Sequence, residues 1–92
     1  MQTVLPITVK IIYEKASLDA PFVAYSPELD VASAGPTEPK ARANLKEAIN
    51  LVLEGAREDG NLDEFLEEVG FSKDKGKFKA PKLTIEEVSL PV

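Results

Sequence analysis

Between Gly35 and Gly60 the sequence leaves little freedom to the backbone. Gly35-Pro36 stops whatever precedes it, Thr37 is a good helix cap, Glu38 suits the positive end of a helix dipole, and Pro39 is tolerated in a first helical turn. Lys40 stands where the acid of a capping box would be, so that box is incomplete. From there Ala41, Leu45, Ala48, Ile49, Val52, Leu53 and Ala56 recur at helical spacing and form one apolar stripe. Arg42, Lys46, Glu47, Asn50, Glu54 and Arg57 fall largely outside it, and Leu51 lies off it as an isolated apolar residue. The helix is expected to end near Arg57 or Glu58 with Gly60 as its stop. Gly55, a poor helix former, is expected to loosen the last turn.

A helix with one apolar stripe needs a sheet to lie on, and the preceding chain supplies it. Leu5, Ile7, Val9, Ile11 and Tyr13 alternate, which predicts a strand over 5–13 with one buried side; Ile12 breaks its polar face and Pro6 belongs near its start. Lys15 to Ala20 has the length of a hairpin loop, and Pro21 to Tyr25 reads as an interior strand. Ser26 to Asp30 reads as a turn set by Pro27 and Asp30, and Val31 to Ala34 as a third, very short strand. After the long helix, Asn61 to Val69 reads as a short one, capped by Asn61 and ended by Gly70, with Leu62, Phe65, Leu66 and Val69 as its apolar side. Ser72 to Lys79 reads as a basic, solvated loop. Lys82 to Val92 reads as a final strand whose apolar parity switches at Glu86-Glu87: Leu83 and Ile85 on one side, Val88, Leu90 and Val92 on the other. A strand that changes face near a terminus could bury its far half on another subunit, so Val88, Leu90 and Val92 are candidate oligomer contacts. The expected class is α+β: a three-stranded antiparallel meander, one long helix packed on one face, a short second helix and a C-terminal strand. It forms a single domain over 1–92, with the core in 1–58 and an appendage in 61–92.

At 92 residues the core can be little more than one layer of helix on one sheet, with no interior left for a deep pocket. The net charge of −5 is the wrong sign for holding a polyanion; it suits a basic partner, or simply keeps a small domain in solution. The chain has no Cys and no His, which removes thiol nucleophiles, imidazole bases, disulfides and the usual zinc ligands together. The pairs Glu67-Glu68 and Glu86-Glu87 diverge in either helix or strand, Asp59 to Glu64 lacks the spacing of a calcium loop, and Ser26 and Ser33 have no base to activate them. Neither catalysis, nor a metal, nor a cofactor is expected. The first residues, MQTVLPITVKIIYEK, lack the basic start and cleavage signal of a secretory leader, and no apolar run reaches membrane-spanning length, so a cytoplasmic location is expected. Scarce Asn, Gln, Met and Cys beside plentiful Glu and Lys point to a thermophilic source.

The pattern from Phe22 to Leu53 resembles the HicB-like antitoxins of type II toxin–antitoxin pairs. The residues that carry the resemblance are the aromatic strand Phe22-Val23-Ala24-Tyr25, the Pro27-Glu28-Leu29 turn, Ser33, Gly35 and Thr37, and then Ala41, Asn44, Leu45, Lys46-Glu47-Ala48 and Leu53. The resemblance covers about the first 58 residues. It implies a fold similar to a partly degenerate double-stranded-RNA-binding domain and an antitoxin that masks a small basic, HicA-like ribonuclease toxin by direct contact. On that reading Glu47, Leu51 and Glu54 of the helix, and Glu64, Glu67 and Glu68 beyond it, are the candidate partner contacts. Two departures stand out: Asp30 leads straight into Val31 where the family often has Pro-Gly-Cys, and where many members carry a C-terminal DNA-binding segment only one short acidic helix and one strand are expected after the long helix. Direct nucleic-acid binding is therefore not expected. An alternative from a different class is a self-associating structural protein of the same fold without a toxin, and a homo-oligomer is expected in either case.

Overall fold

The computed structural model describes residues 4–91. Its first three strands form an antiparallel sheet in the order β1-β2-β3: β1 Lys10–Tyr13, β2 Phe22–Ser26 and β3 Val31–Gly35. The long helix α1, Glu38–Glu58, packs against β2 and β3. A short helix α2, Leu62–Glu68, follows, and then a separate two-stranded hairpin of β4 Ser72–Asp74 and β5 Lys77–Lys79. The expected α+β meander with a long helix on it is thus the observed architecture.

The start of α1 is set as the sequence demands. Thr37 adopts an extended conformation and its hydroxyl accepts a hydrogen bond from the Lys40 N–H at 3.2 Å. Ala41, Leu45 and Ile49 are buried, while Ala48, Leu53 and Ala56 are half-buried at the sides of the stripe; Val52 stands at its margin, 37% exposed. Gly55 does not loosen the last turn: the helix continues to Glu58, and Gly60, at φ +76°, takes the chain out of it. In the sheet, Ala24 is fully buried and faces the helix, as do its register neighbours Ile11 and Ser33. The buried cluster is Ala24, Leu29, Ala41, Leu45, Ile49, Leu66 and Phe71.

Three expectations about the strands also need correction. The first strand is expected over 5–13, but the ladder holds only Lys10–Tyr13. Continued backwards, the register would set Thr8 opposite Pro27, which has no N–H to give, and so pairing stops. The parity itself survives, because Leu5, Ile7, Val9 and Ile11 all lie half-buried against the core. Residues 72–79, expected as a loop, are a hairpin: Lys75 and Gly76 both take positive φ (52° and 79°), the geometry of a two-residue type I′ turn. Phe78 packs at the edge of the core, with the Lys73 ammonium 5.6 Å from its ring centre.

The expected C-terminal strand is absent among the described residues. Residues 82–91 carry no regular structure and pair with nothing, and Leu83, Ile85, Val88 and Leu90 are 63–92% exposed. A strand requires a partner strand, and this chain places none beside its tail. Val92, the last of the candidate oligomer contacts, lies outside the described residues.

A close backbone approach occurs at Gly35. A Cβ placed there would come within 2.7 Å of the Ala41 nitrogen, so the first turn of α1 rests on bare backbone of β3. Around Gly55 a Cβ would meet nothing within 4 Å. Gly35→Ala is therefore expected to destabilise by about 3 kcal/mol or more through forced overpacking, whereas Gly55→Ala should stabilise by roughly 0.5–1 kcal/mol. Denaturant unfolding of the two variants checks both signs.

Candidate functional site

On a helix of 3.6 residues per turn, Glu47, Leu51, Glu54 and Glu58 fall along one line directly opposite the buried Ala41–Leu45–Ile49 line. All four are exposed, Leu51 by 67%. Three carboxylates around one leucine make a shallow acidic ridge with an apolar centre. Among the described residues none of these side chains has an ion-pair partner; the pair on α1, Glu38–Arg42 at 3.6 Å, sits in the first turn away from the ridge.

Glu64, Glu67 and Glu68 are also exposed and line a shallow depression of about 300 Å³ on α2. The six candidate partner residues thus form two surface groups, one per helix, and no hydrogen bond or ion pair among the described residues joins them. A larger depression of about 440 Å³ lies between α2 and the hairpin, where Asp63 and Glu67 face Phe71, Lys73 and Phe78. A third, of about 330 Å³, is an apolar groove between the N-terminal segment and α1, lined by Leu5, Ile7, Ile49 and Leu53 with Lys46 and Asn50 at its rim. No group of three or more acidic residues among those described gathers to hold a metal ion. Among the described residues no helix is long and apolar enough to cross a membrane.

Sequence reasoning missed the role of Glu28. It stands in the β2–β3 turn, yet its carboxylate accepts from the Thr8 N–H at 3.1 Å, the Thr8 hydroxyl at 2.6 Å and the hydroxyl of the fully buried Ser26 at 3.1 Å. The carboxylate stands in for the ladder that Pro27 interrupts and ties the N-terminal segment to the turn. Burial pushes the Glu28 pKa up, but the hydrogen bonds from Thr8, Ser26 and its own backbone outweigh this and hold it below the usual glutamate value. At the other side of the turn Tyr25 donates to Asp30 at 2.8 Å, which raises the pKa of its phenol. Asp30 takes a positive φ of 54°, and the tyrosine hydrogen bond supports it there.

The outer face of the sheet was also hard to see in advance. The register aligns Ile12, Val23 and Ala34 in one row on the side away from α1, with Lys10, Tyr25 and Ala32 beside it. Ile12 is 38% exposed and Ala34 is exposed, so this row faces solvent. The signal was present in the sequence as the apolar residue that spoils the alternation of the first strand.

A carboxylate whose pKa is lowered by folding contributes stability that is complete above its unfolded value and is lost as pH falls through the folded one. Glu28→Gln is therefore expected to cost about 1–2 kcal/mol at neutral pH, and the gap to the unsubstituted chain should close well below 4.5, the ordinary glutamate value. Urea unfolding across that range checks it; a gap independent of pH would show that the carboxylate charge plays no part. Comparisons with protein-family profiles, with curated proteins and with solved structures return no match for this chain.

Proposed function

We propose that this chain is a protein-binding module of the HicB-like antitoxin kind, which masks a small basic ribonuclease toxin by direct contact. The reading rests on the sequence resemblance from Phe22 to Leu53, and the observation that carries it furthest is the ridge of Glu47, Leu51, Glu54 and Glu58. That ridge stands opposite the buried stripe, so it takes no part in the core and is free for a partner. Its chemistry suits a cationic surface with a small apolar recess: the leucine supplies desolvated contact, and the carboxylates steer the encounter and fix its register. Covering the groove that a ribonuclease uses for RNA is enough to silence it, and no catalytic group is required of the antitoxin.

The acidic depression of α2 would extend the same field. The lysines of the hairpin provide the one concentration of positive charge, but Lys79 is paired with Asp74 at 3.2 Å and the acidic face of α2 lies beside them. The arrangement favours a protein partner over nucleic acid, whose phosphates α2 would repel.

Co-expression with the product of the adjacent gene tests the proposal. Rescue from toxicity and a stable complex are expected, with binding weakened by added salt. Leu51→Asp, or Glu47→Lys combined with Glu54→Lys, should weaken the complex about tenfold or more, equivalent to roughly 1.4 kcal/mol, without altering the fold. A neighbouring product that is neither basic nor toxic, and that forms no complex, would sink the proposal.

A further inference from the structure

We propose that the tail of residues 82–91 adds as a fourth strand to the free β1 edge of a second copy of this chain, giving a two-fold dimer by reciprocal exchange. The inference does not rest on the antitoxin reading, since a dimer forms by this route whether or not a toxin exists.

The first support is surface area. A compact monomer of 10.0 kDa exposes roughly 5,200 Å² by the scaling that folded monomers follow, but this chain exposes 7342 Å². Its Cα radius of gyration is 15.6 Å, against about 12 Å for a compact domain of this length. The excess, roughly 2,100 Å², is the share that one chain contributes to a large homodimer interface. The tail contributes to it, with Ile85, Val88 and Leu90 92%, 87% and 77% exposed. Four large apolar side chains within eight residues, with unpaired backbone between them, make this irregular segment suited to pair as a strand once a partner edge is supplied.

The second support is the receptor. The sheet has two edges, and they differ. On the β3 edge the Asn44 side chain of α1 donates to the Ala34 carbonyl at 2.9 Å, and the helix lies over this side of the sheet. On the β1 edge, no hydrogen bond from another segment meets the outer side of Lys10–Tyr13 among the described residues, and Ile12 and Tyr13 are 38% and 62% exposed. The tail carries apolar residues on both of its faces because an added strand would meet two different surfaces. One half would lie toward the core side of the sheet and the other toward the open row of Ile12, Val23 and Ala34. The residues that separate the halves, Glu86 and Glu87, would meet a stretch that carries Lys10, Glu14 and Lys15. The root of the tail is fixed, because Pro81 packs on Gly70, where a Cβ would lie 2.8 Å from the proline ring. Reciprocal exchange satisfies both chains with two equivalent contacts, as closed two-fold symmetry requires.

Sedimentation of the full chain at micromolar concentration, with amide hydrogen exchange of β1, tests this. A dimer with slow exchange at the outward-pointing amides of Ile11 and Tyr13 is expected, and a chain ending at Pro81 should be a monomer with fast exchange at both. Should the shortened chain fail to fold, Val88→Asp with Leu90→Asp decides the matter, because side chains this exposed support nothing within the monomer. That pair should raise the dimer dissociation constant about tenfold or more and leave the helical circular dichroism unchanged. A monomeric full chain overturns the proposal, including one whose β1 is protected by its own tail. So does a doubly substituted chain that dimerises as tightly as before, or a dimer in which truncation leaves β1 exchange unaltered.

Discussion

The fold depends on how closely α1 can approach the sheet. At Gly35 the last residue of β3 has no side chain, and the Ala41 nitrogen sits where one would be. Backbone against backbone is the shortest distance at which a helix can lie on a strand, and it determines how deep the next two turns reach. Leu45 and Ile49 then enter the space above β2 and close over Ala24, which is small enough to receive them. A larger residue at position 24 or 35 would lift the helix and leave its stripe half-solvated. Two residues of minimal size thus allow a core of seven buried apolar side chains among the described residues to be continuous.

A second tie, of a different physical kind, works at the opposite end of the sheet. Pro27 makes the tight turn but takes away a ladder donor, and Glu28 repairs the gap with its carboxylate. The repair also settles the buried Ser26 hydroxyl, and the described residues hold no buried side-chain polar atom without a partner. Because the contact joins residues twenty apart in sequence, it holds the N-terminal segment against the core where no strand pairing does. The steric tie at Gly35 is indifferent to pH, whereas the Glu28 tie is not.

These facts explain what could be read from the sequence. The long helix, its cap and its stripe were legible because each depends on residues within one or two turns of each other. The strand order was legible because the loops are short and the parity of Leu5, Ile7, Val9 and Ile11 is strict. The hairpin at 72–79 was not, since Lys75-Gly76 is a weak turn signal and Lys73 and Phe78 are a single alternating pair. The exposed ridge on α1 was visible as whatever the stripe left over. Glu28 could be placed in a turn, but its partner Thr8 is fixed by sheet register, which no local pattern encodes. The tail was legible as apolar and wrong as a strand, for pairing is a property of two segments and only one was in the pattern.

The positions of the two outward features bear on each other. The acidic ridge stands on the far side of α1, and α1 packs on β2 and β3; the β1 edge is at the other margin of the sheet. A contact made along β1 therefore leaves the ridge uncovered, and a partner on the ridge does not touch the edge. Two chains joined at their edges would carry two ridges, which raises the effective concentration of the second site for any partner that is itself paired or clustered. For a domain with so small a core, dimerisation would also remove the tail's apolar surface from water, adding stability that the single chain cannot generate alone. Stability and partner binding would then draw on different surfaces of the same helix-on-sheet unit, so that a substitution on the ridge could alter recognition without loosening the fold.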